Sequence, residues 1–437
     1  MNEEVRKKSL RYSIKDGMAW AVSNGLGASY IAPYALALKA NDVQIGLLTS
    51  VPTLAANLSE VRAPKLMERT SRKRIVTTSA LLQALTWLPI AFVAVLFLFF
   101  QVGGLIAPTL VIIFYTIYLF LGAFGGPAWS SWIGDLVPKH ERGRFFGRRN
   151  MVLGAAGISA MLVGGVFLNF FTPGQALYGF VALFLIASVA RLVSWHFLRK
   201  QHEPKFKYQD EYYFSFSSFV RKMKNNNFGR FTIYVTLMVF ALNLAGPFFA
   251  VYMLKELNFG YLVYVLIILS ASITEVLSLR AWGKFSDKYG NLRELRICGL
   301  LVPFIPILWL FSANPIYLVG VEALSGVVWG GFNLAASNFI YDAVTKQRRG
   351  ICFAYFGALN GIGVFLGATL GGLIATYVRV GFMSILLFLF LVSGLLRLLI
   401  SLIMLPRLRE VRKVKAPKPL WYHVGGIIRR RLPLHPH

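Results

Sequence analysis

The sequence predicts an all-helical, multi-pass membrane protein: twelve transmembrane helices in two pseudo-symmetric bundles of six. Three observations predict it. Of the 437 residues 56% are hydrophobic and 15% charged, where a soluble domain carries about 25% charged residues. Apolar stretches of about 20 residues, the length that crosses the hydrocarbon, recur along the whole chain. The chain also repeats itself. SSWIGDLVPKHERGRFFGRRNMVLGAAGISAMLVGG, from Ser130 to Gly165, returns 207 positions later without a gap as SNFIYDAVTKQRRGICFAYFGALNGIGVFLGATLGG. Asp135 falls on Asp342, Lys139 on Lys346, Arg142 on Arg349 and Gly143 on Gly350, and Gly154, Gly164 and Gly165 fall on Gly361, Gly371 and Gly372. An acid, a basic turn and glycines at one fixed offset mark a duplicated membrane unit.

In chain order the stretches lie near 17–38, 43–63, 75–101, 105–134, 145–171 and 174–198. After a polar break they lie near 231–254, 261–282, 291–312, 315–341, 350–376 and 379–405. The expected units are a first bundle over 1–198, a linker over 199–230, a second bundle over 231–405 and a basic tail over 406–437. The first stretch places Trp20, Asn24, Gly27, Ile31 and Tyr34 on one helical face. Asn24 and Gly27 recur 219 positions on as Asn243 and Gly246. The second carries Thr53, Asn57 and Glu60 on one stripe, and the fourth Tyr115, Tyr118 and Trp129. The fifth and eleventh are rich in glycine, which lets helix backbones approach closely in lipid. The sixth and twelfth carry Arg191 and Arg397 near their basic ends, where long side chains are expected to snorkel. The eighth carries Glu275, and both Glu60 and Glu275 are expected to pair with a nearby Arg, such as Arg62 or Arg280. In the tenth, Glu322, Ser325, Trp329 and Asn333 share a stripe. The linker's Phe214, Phe216 and Phe219, followed by Arg221, Lys222 and Lys224, predict a short amphipathic helix on the membrane surface.

The formal charge of +28 is topological rather than a nucleic-acid footprint: 41 of the 46 Lys and Arg residues fall in alternate loops and the two termini. That is the positive-inside pattern, and it predicts a protein of the cytoplasmic membrane with both termini in the cytoplasm. The basic loops suit anionic headgroups. The apolar stretch after Lys15 is too long for a signal peptide. Cys298 and Cys352 support neither a disulfide framework nor a metal site. His140, His196, His202, His423, His435 and His437 all fall at basic edges or tails. With no Walker loop and no Gly-x-Ser-x-Gly elbow, an enzyme, a metal and a cofactor are not expected.

The second stretch ends in PKLMERTSRKR from Pro64, and 219 positions on stands GKFSDKYGNLR from Gly283. Glu68 pairs with Asp287, Arg69 with Lys288 and Arg74 with Arg293. The second copy, with Gly283, Asp287, Lys288, Gly290 and Arg293, resembles the cytoplasmic signature of the major facilitator superfamily. The first departs from it, with Pro64, Glu68 and Ser71 where the family has Gly, Asp and Gly, so the turn there is expected to differ. The resemblance covers the chain from about Gly17 to Pro406. It implies a latch on the cytoplasmic face, with Glu68 facing Gly350, Asp287 facing Gly143, and Asp135 and Asp342 serving Arg69 and Lys288. Arg142 and Arg349 belong to the same cluster, since an acid and a guanidinium near a helix amino end attract. The helix-5 Gly-Pro and helix-4 Arg of proton-linked drug exporters are missing, Ala160-Met161 and Tyr118 standing near their places.

In the superfamily the first, fourth, seventh and tenth helices line a central cavity. The resemblance therefore puts Asn24, Tyr34, Tyr115, Asn243, Glu322, Trp329 and Asn333 around one space. Ionisable groups within spanning helices are costly and are candidates for function, and Glu322, with no Lys or Arg close in sequence, is the candidate for exchanging a proton. The function implied is a monomeric secondary transporter moving a small solute by alternating access. A non-transporting or lipid-handling protein on the same scaffold is the alternative, because fold does not fix function. The aromatic and amide-rich candidate lining favours neutral, amphipathic or cationic solutes over anions.

Overall fold

The structure, a computed structural model, describes residues 3–138, 141–172, 174–204, 215–345 and 348–412. Lys139, Lys346, Phe214 and the tail from 413 onward lie outside the described residues.

The first half comprises α1 (Glu3–Leu26), α2 (Ile31–Ala37), α3 (Asp42–Glu60), α4 (Ala63–Arg69), α5 (Arg72–Phe99), α6 (Ile106–Leu136), α7 (Arg142–Leu168) and α8 (Ala176–Arg199). A short helix, α9 (Phe216–Lys222), leads to the second half. That half comprises α10 (Asn227–Ala245), α11 (Phe248–Val251), α12 (Tyr261–Tyr289), α13 (Asn291–Leu301), α14 (Phe304–Leu308), α15 (Pro315–Ala343), α16 (Arg349–Tyr377) and α17 (Ile385–Met404).

Every apolar stretch of the sequence falls on helix. Among the described residues nine helices are long and apolar enough to cross a membrane. The stretches at 17–38, 231–254 and 291–312 are interrupted, the second at Gly246–Pro247, and proline explains each break, because it lacks the N–H and clashes with the preceding turn. Pro33 follows a short 3-10 turn over Ala28–Tyr30, and Pro303 separates α13 from α14. α3 is polar for a span, carrying Asp42, Gln44, Asn57 and Glu60. Its start is fixed by a capping box in which Asn41 Oδ1 accepts from the Gln44 amide and Gln44 Oε1 accepts from the Asn41 amide. Phe99, Phe100, Phe170, Leu277 and Ile316 stand exposed on the outer surface, as side chains facing lipid would.

The duplication is visible in the packing. In the first half α1 lies against α7 and α8, α3 against α6, and α5 against α6 and α8. In the second, α10 lies against α16 and α17, α12 against α15, and α13 against α15 and α17. These are the same pairings shifted by one repeat. Between halves the repeat predicts α3 on α16 and α12 on α7, and both occur.

The two inter-half contacts differ in extent. α3 and α16 touch along their length: a Cβ on Gly372 would lie 2.9 Å from the Asp42 carbonyl, and one on Gly361 would lie 2.8 Å from Asn57 Cβ. Between them Thr369 donates to Ser50 at 3.2 Å. α7 meets α12 at one end, where a Cβ on Gly165 would lie 3.0 Å from Val265. Toward the face that bears the loops rich in Lys and Arg, here the basic face, Gly147, Gly154 and Gly283 have open space around them. The cores follow the same division. On the far face one core joins Tyr30, Tyr34 and Trp87 of the first half to Phe248, Tyr264 and Trp309 of the second. Toward the basic face the buried residues form two separate cores, one around Trp132 and Ile133 and one around Phe231 and Phe339, with Val61 of the first half packed on the edge of the latter.

Several boundaries differ from expectation. α1 begins at Glu3, well before the apolar stretch, with Lys7 paired to Glu3 at 2.7 Å. α12 runs on to Tyr289, so Gly283 lies inside a helix rather than in a loop. α9 turns Phe219 against Phe228 and Tyr355, so its apolar side packs on the second half. The turn between the second and third helices also differs between copies. Gly290 takes φ 91°, whereas Ser71 stays extended and caps α5 by accepting from the Arg74 amide.

Candidate functional site

At the basic face the signature residues are organised within each half. Arg142 Nη2 donates to the Gly134 carbonyl at 2.7 Å, and Arg349 Nη2 donates to the Tyr341 carbonyl at 2.8 Å. Each guanidinium reaches back over the end of the preceding helix, where carbonyls lack partners and the dipole is negative. Asp135 is bound by Arg72 at 2.6 Å rather than by Arg69, and Asp342 accepts from Asn291 at 2.6 Å rather than from Lys288. The cause is local. Arg69 ends α4 on its exposed side, whereas Arg72 opens α5 and points into the bundle, as Asn291 opens α13. Lys288 and Arg293 instead flank the ring of Tyr289, at 4.9 and 5.3 Å. Asp287 is paired with Arg412 at 3.2 Å, and Gly143 lies in the first turn of α7. Glu68 is exposed on α4, and Gly350 lies in the first turn of α16.

The central cavity opens beside α1. Asn24 lines it, together with Trp20. One lobe, of about 440 Å³, penetrates the first half and reaches Asp16, Gln83, Tyr118, Trp129, Arg149 and Arg191. A second, of about 380 Å³, lies between α1 and α7 and touches Leu269 and Ser272 of α12. Arg191 does not snorkel. Its Nε and Nη2 donate to Gln83 Oε1 at 3.2 and 2.7 Å, and Nη1 donates to Ser194 at 2.8 Å. Gln83 is held in turn by donating to the Tyr118 carbonyl at 2.9 Å, and Gly122 leaves it room, since a Cβ there would lie 2.7 Å from Nε2. Arg149 lies over the Trp129 ring at 4.2 Å and donates to the Ser13 carbonyl at 3.3 Å.

The other expected lining residues are dispersed. Tyr34 is fully buried, donates to the Ile90 carbonyl at 2.8 Å and meets Phe180 and Phe184. The break before Pro33 turns it off the face that carries Asn24. Tyr115 stacks on Tyr118 beside the cavity, ring centroids 5.9 Å apart. Asn243 donates back to the Val239 carbonyl of its own helix. Trp329 packs edgewise on Phe332. Asn333 donates to Glu275 at 3.2 Å, in place of the expected Glu275–Arg280 pair. Glu322 accepts from the Trp309 indole at 3.2 Å and lies within electrostatic reach of Arg397, inside the second half. Arg397 is also buried and aims Nη2 at the Leu242 carbonyl.

Asp16, Arg72, Gln83 and Arg149 are the residues that sequence reasoning passed over. Arg72 and Arg149 stand in basic runs that satisfy the topology rule by themselves, and Asp16 precedes the first apolar stretch. A second signal existed for Arg149, which falls on Phe356 at the 207 offset: a charge where the repeat has a ring.

The two helical halves repeat one packing pattern, and the cavity beside α1 lies within the first and at its contact with the second. The family model described as Major Facilitator Superfamily matches residues 17–276 and 231–434, and the chain belongs to that superfamily. Membership makes it a multi-pass, non-enzymatic transporter of a small solute. It is similar to a protein named Multi-drug resistance efflux pump PmrA homolog, from Lactococcus lactis subsp. lactis (strain IL1403), with 24% identity over 340 residues, 76% of this chain and 78% of the relative. Its fold is similar to that of the nucleoside transporter NupG in a single-substitution form, with TM-score 0.69, 15% identity, and 93% and 100% of the two chains covered. It is likewise similar to a D-xylose–proton symporter, with TM-score 0.69, 14% identity, and 94% and 99% covered.

Proposed function

We propose that the protein is a secondary active transporter of the cytoplasmic membrane that exports a small amphipathic solute by alternating access. The observation that supports it is the division of the cores: shared by both halves at the far face, separate at the basic face. A solute would enter from the basic face, which the positive-inside rule assigns to the cytoplasm, and the halves would rock about the α3–α16 contact to close behind it. The name of the Lactococcus relative supports the outward direction.

A spin-label pair at Gly147→Cys and Gly283→Cys tests the motion, because both positions have open space for the new side chain. Two distance populations across the basic face, with a solute shifting their ratio, are expected. A single distance under every condition would refute alternation. Coupling to protons is read onto Glu322. Glu322→Gln keeps an acceptor for Trp309, so folding should persist while the pH dependence of transport is lost. Unchanged pH dependence would remove Glu322 from the coupling.

A further inference from the structure

The first-half lobe of the cavity is lined by buried charge. Arg149 and Arg191 are each 8% exposed and both line it. Among the described residues neither forms an ion pair. The acceptors of their hydrogen bonds are neutral: Gln83 Oε1, Ser194 Oγ and the Ser13 carbonyl. Asp16 lies within electrostatic reach of both, but its own oxygens are taken by Ser194 at 3.4 Å and Gln201 at 3.1 Å, so it shares its charge rather than closing on either guanidinium. The inner lobe therefore holds two guanidinium groups against one carboxylate. The other acid of the lining, Glu60, stands at the α3 edge, where a Cβ on Gly357 of α16 would lie 3.7 Å from its Oε2.

A buried cation bonded to neutral acceptors keeps strong affinity for an anion, since charge-assisted and fork-shaped Arg–carboxylate bonds are about twice as strong as neutral ones. The walls beside the guanidinium groups are aromatic, from Trp20, Tyr118 and Trp129, and such faces take flat apolar bodies. A lobe of about 440 Å³ is of the size that holds a small organic molecule. We infer that this lobe is the solute site and that it takes an organic anion with a flat apolar body, its carboxylate or sulfonate on Arg149 and Arg191. The inference rests on the transporter reading above, and it favours an anion where the sequence favoured neutral, amphipathic or cationic solutes.

The test uses 1-naphthoate as the probe, with 1-naphthylmethylammonium as the cation of matching shape, in equilibrium dialysis against the purified full chain in neutral detergent. Naphthoate is expected to bind at least tenfold more tightly than the cation, and more weakly as salt screens the charges. Arg149→Gln and Arg191→Gln should each weaken it at least tenfold. Gln83→Glu supplies Arg191 with an internal carboxylate at the cost of the bond that Gln83 Nε2 donates to the Tyr118 carbonyl, so it should lower naphthoate binding, and the unfolding midpoint measured alongside reads the lost bond separately. Equal binding of the two probes, tighter binding of the cation, or naphthoate binding unchanged in Gln83→Glu would overturn the inference. Displacement of naphthoate by phosphatidylglycerol at constant ionic strength would reassign the site to a lipid headgroup and overturn it as well. The label pair at 147 and 283 separates the two ideas: alternation without anion binding sinks this inference and leaves the transporter reading standing.

Discussion

Arg72 is the charge on which the basic corner of the first half depends, and Arg72→Met tests how strongly. Its side chain is fully buried and its guanidinium binds Asp135 at 2.6 Å, Ser131 at 3.0 Å, the Pro204 carbonyl at 3.2 Å and Glu203 at 3.5 Å. Removing one partner of a buried ion pair costs about 3–5 kcal/mol, because the other charge stays desolvated. Here Asp135 keeps 48% of its side-chain surface in solvent, so water recovers part of that loss and a cost of about 2–3 kcal/mol is expected. Asp135→Asn should cost less, about 1–2 kcal/mol, because Arg72 keeps Glu203 and two neutral acceptors. The double variant should be milder than the sum of the two by about 1 kcal/mol or more. Equilibrium unfolding in mixed micelles, followed by tryptophan fluorescence, reads all three; Trp132 reports from the same corner through its 2.9 Å bond to the His202 carbonyl. Strict additivity would show that the pair is not coupled and that the corner is held by packing alone.

Two further perturbations probe the turn and the far face. Gly290→Ala forces a side chain into φ 91°, a region nearly closed to residues with a Cβ, and should cost about 1–3 kcal/mol; the aligned Ser71→Gly loses a cap and should cost less. Equal unfolding midpoints for the two variants would contradict the difference between the turns. Lys255→Met removes the bond from Lys255 Nζ to the Ala40 carbonyl, 2.8 Å long and a far-face tie between the halves made by a charged group. At about 1–2 kcal/mol for a partly buried charged hydrogen bond, the label pair should shift roughly tenfold toward the form closed at the basic face. No shift would mean that this bond does not hold the far face shut.

The sequence by itself determined the architecture. Apolar length, the Lys and Arg bias and the two fixed offsets each arise from demands that act locally: a helix must cover the hydrocarbon, and a duplicated gene keeps its register. The aligned Arg142 and Arg349 illustrate this, because their acceptors lie within eight residues of each along the chain. Which charges meet across helices was decided only by the tertiary structure. Asp135 found Arg72 instead of Arg69 because α4 forms and turns the chain before α5 begins. Arg191 found Gln83 on another helix, so a side chain that could have snorkelled became part of a cavity wall. Tyr34 left the cavity because Pro33 breaks the first helix and rotates the short helix that contains it. Glu322 met Trp309, thirteen residues earlier in the chain but on a neighbouring helix. Burial in lipid fixes how many helices there are; the pairing of polar groups between them depends on rotation and breaks that no periodicity records.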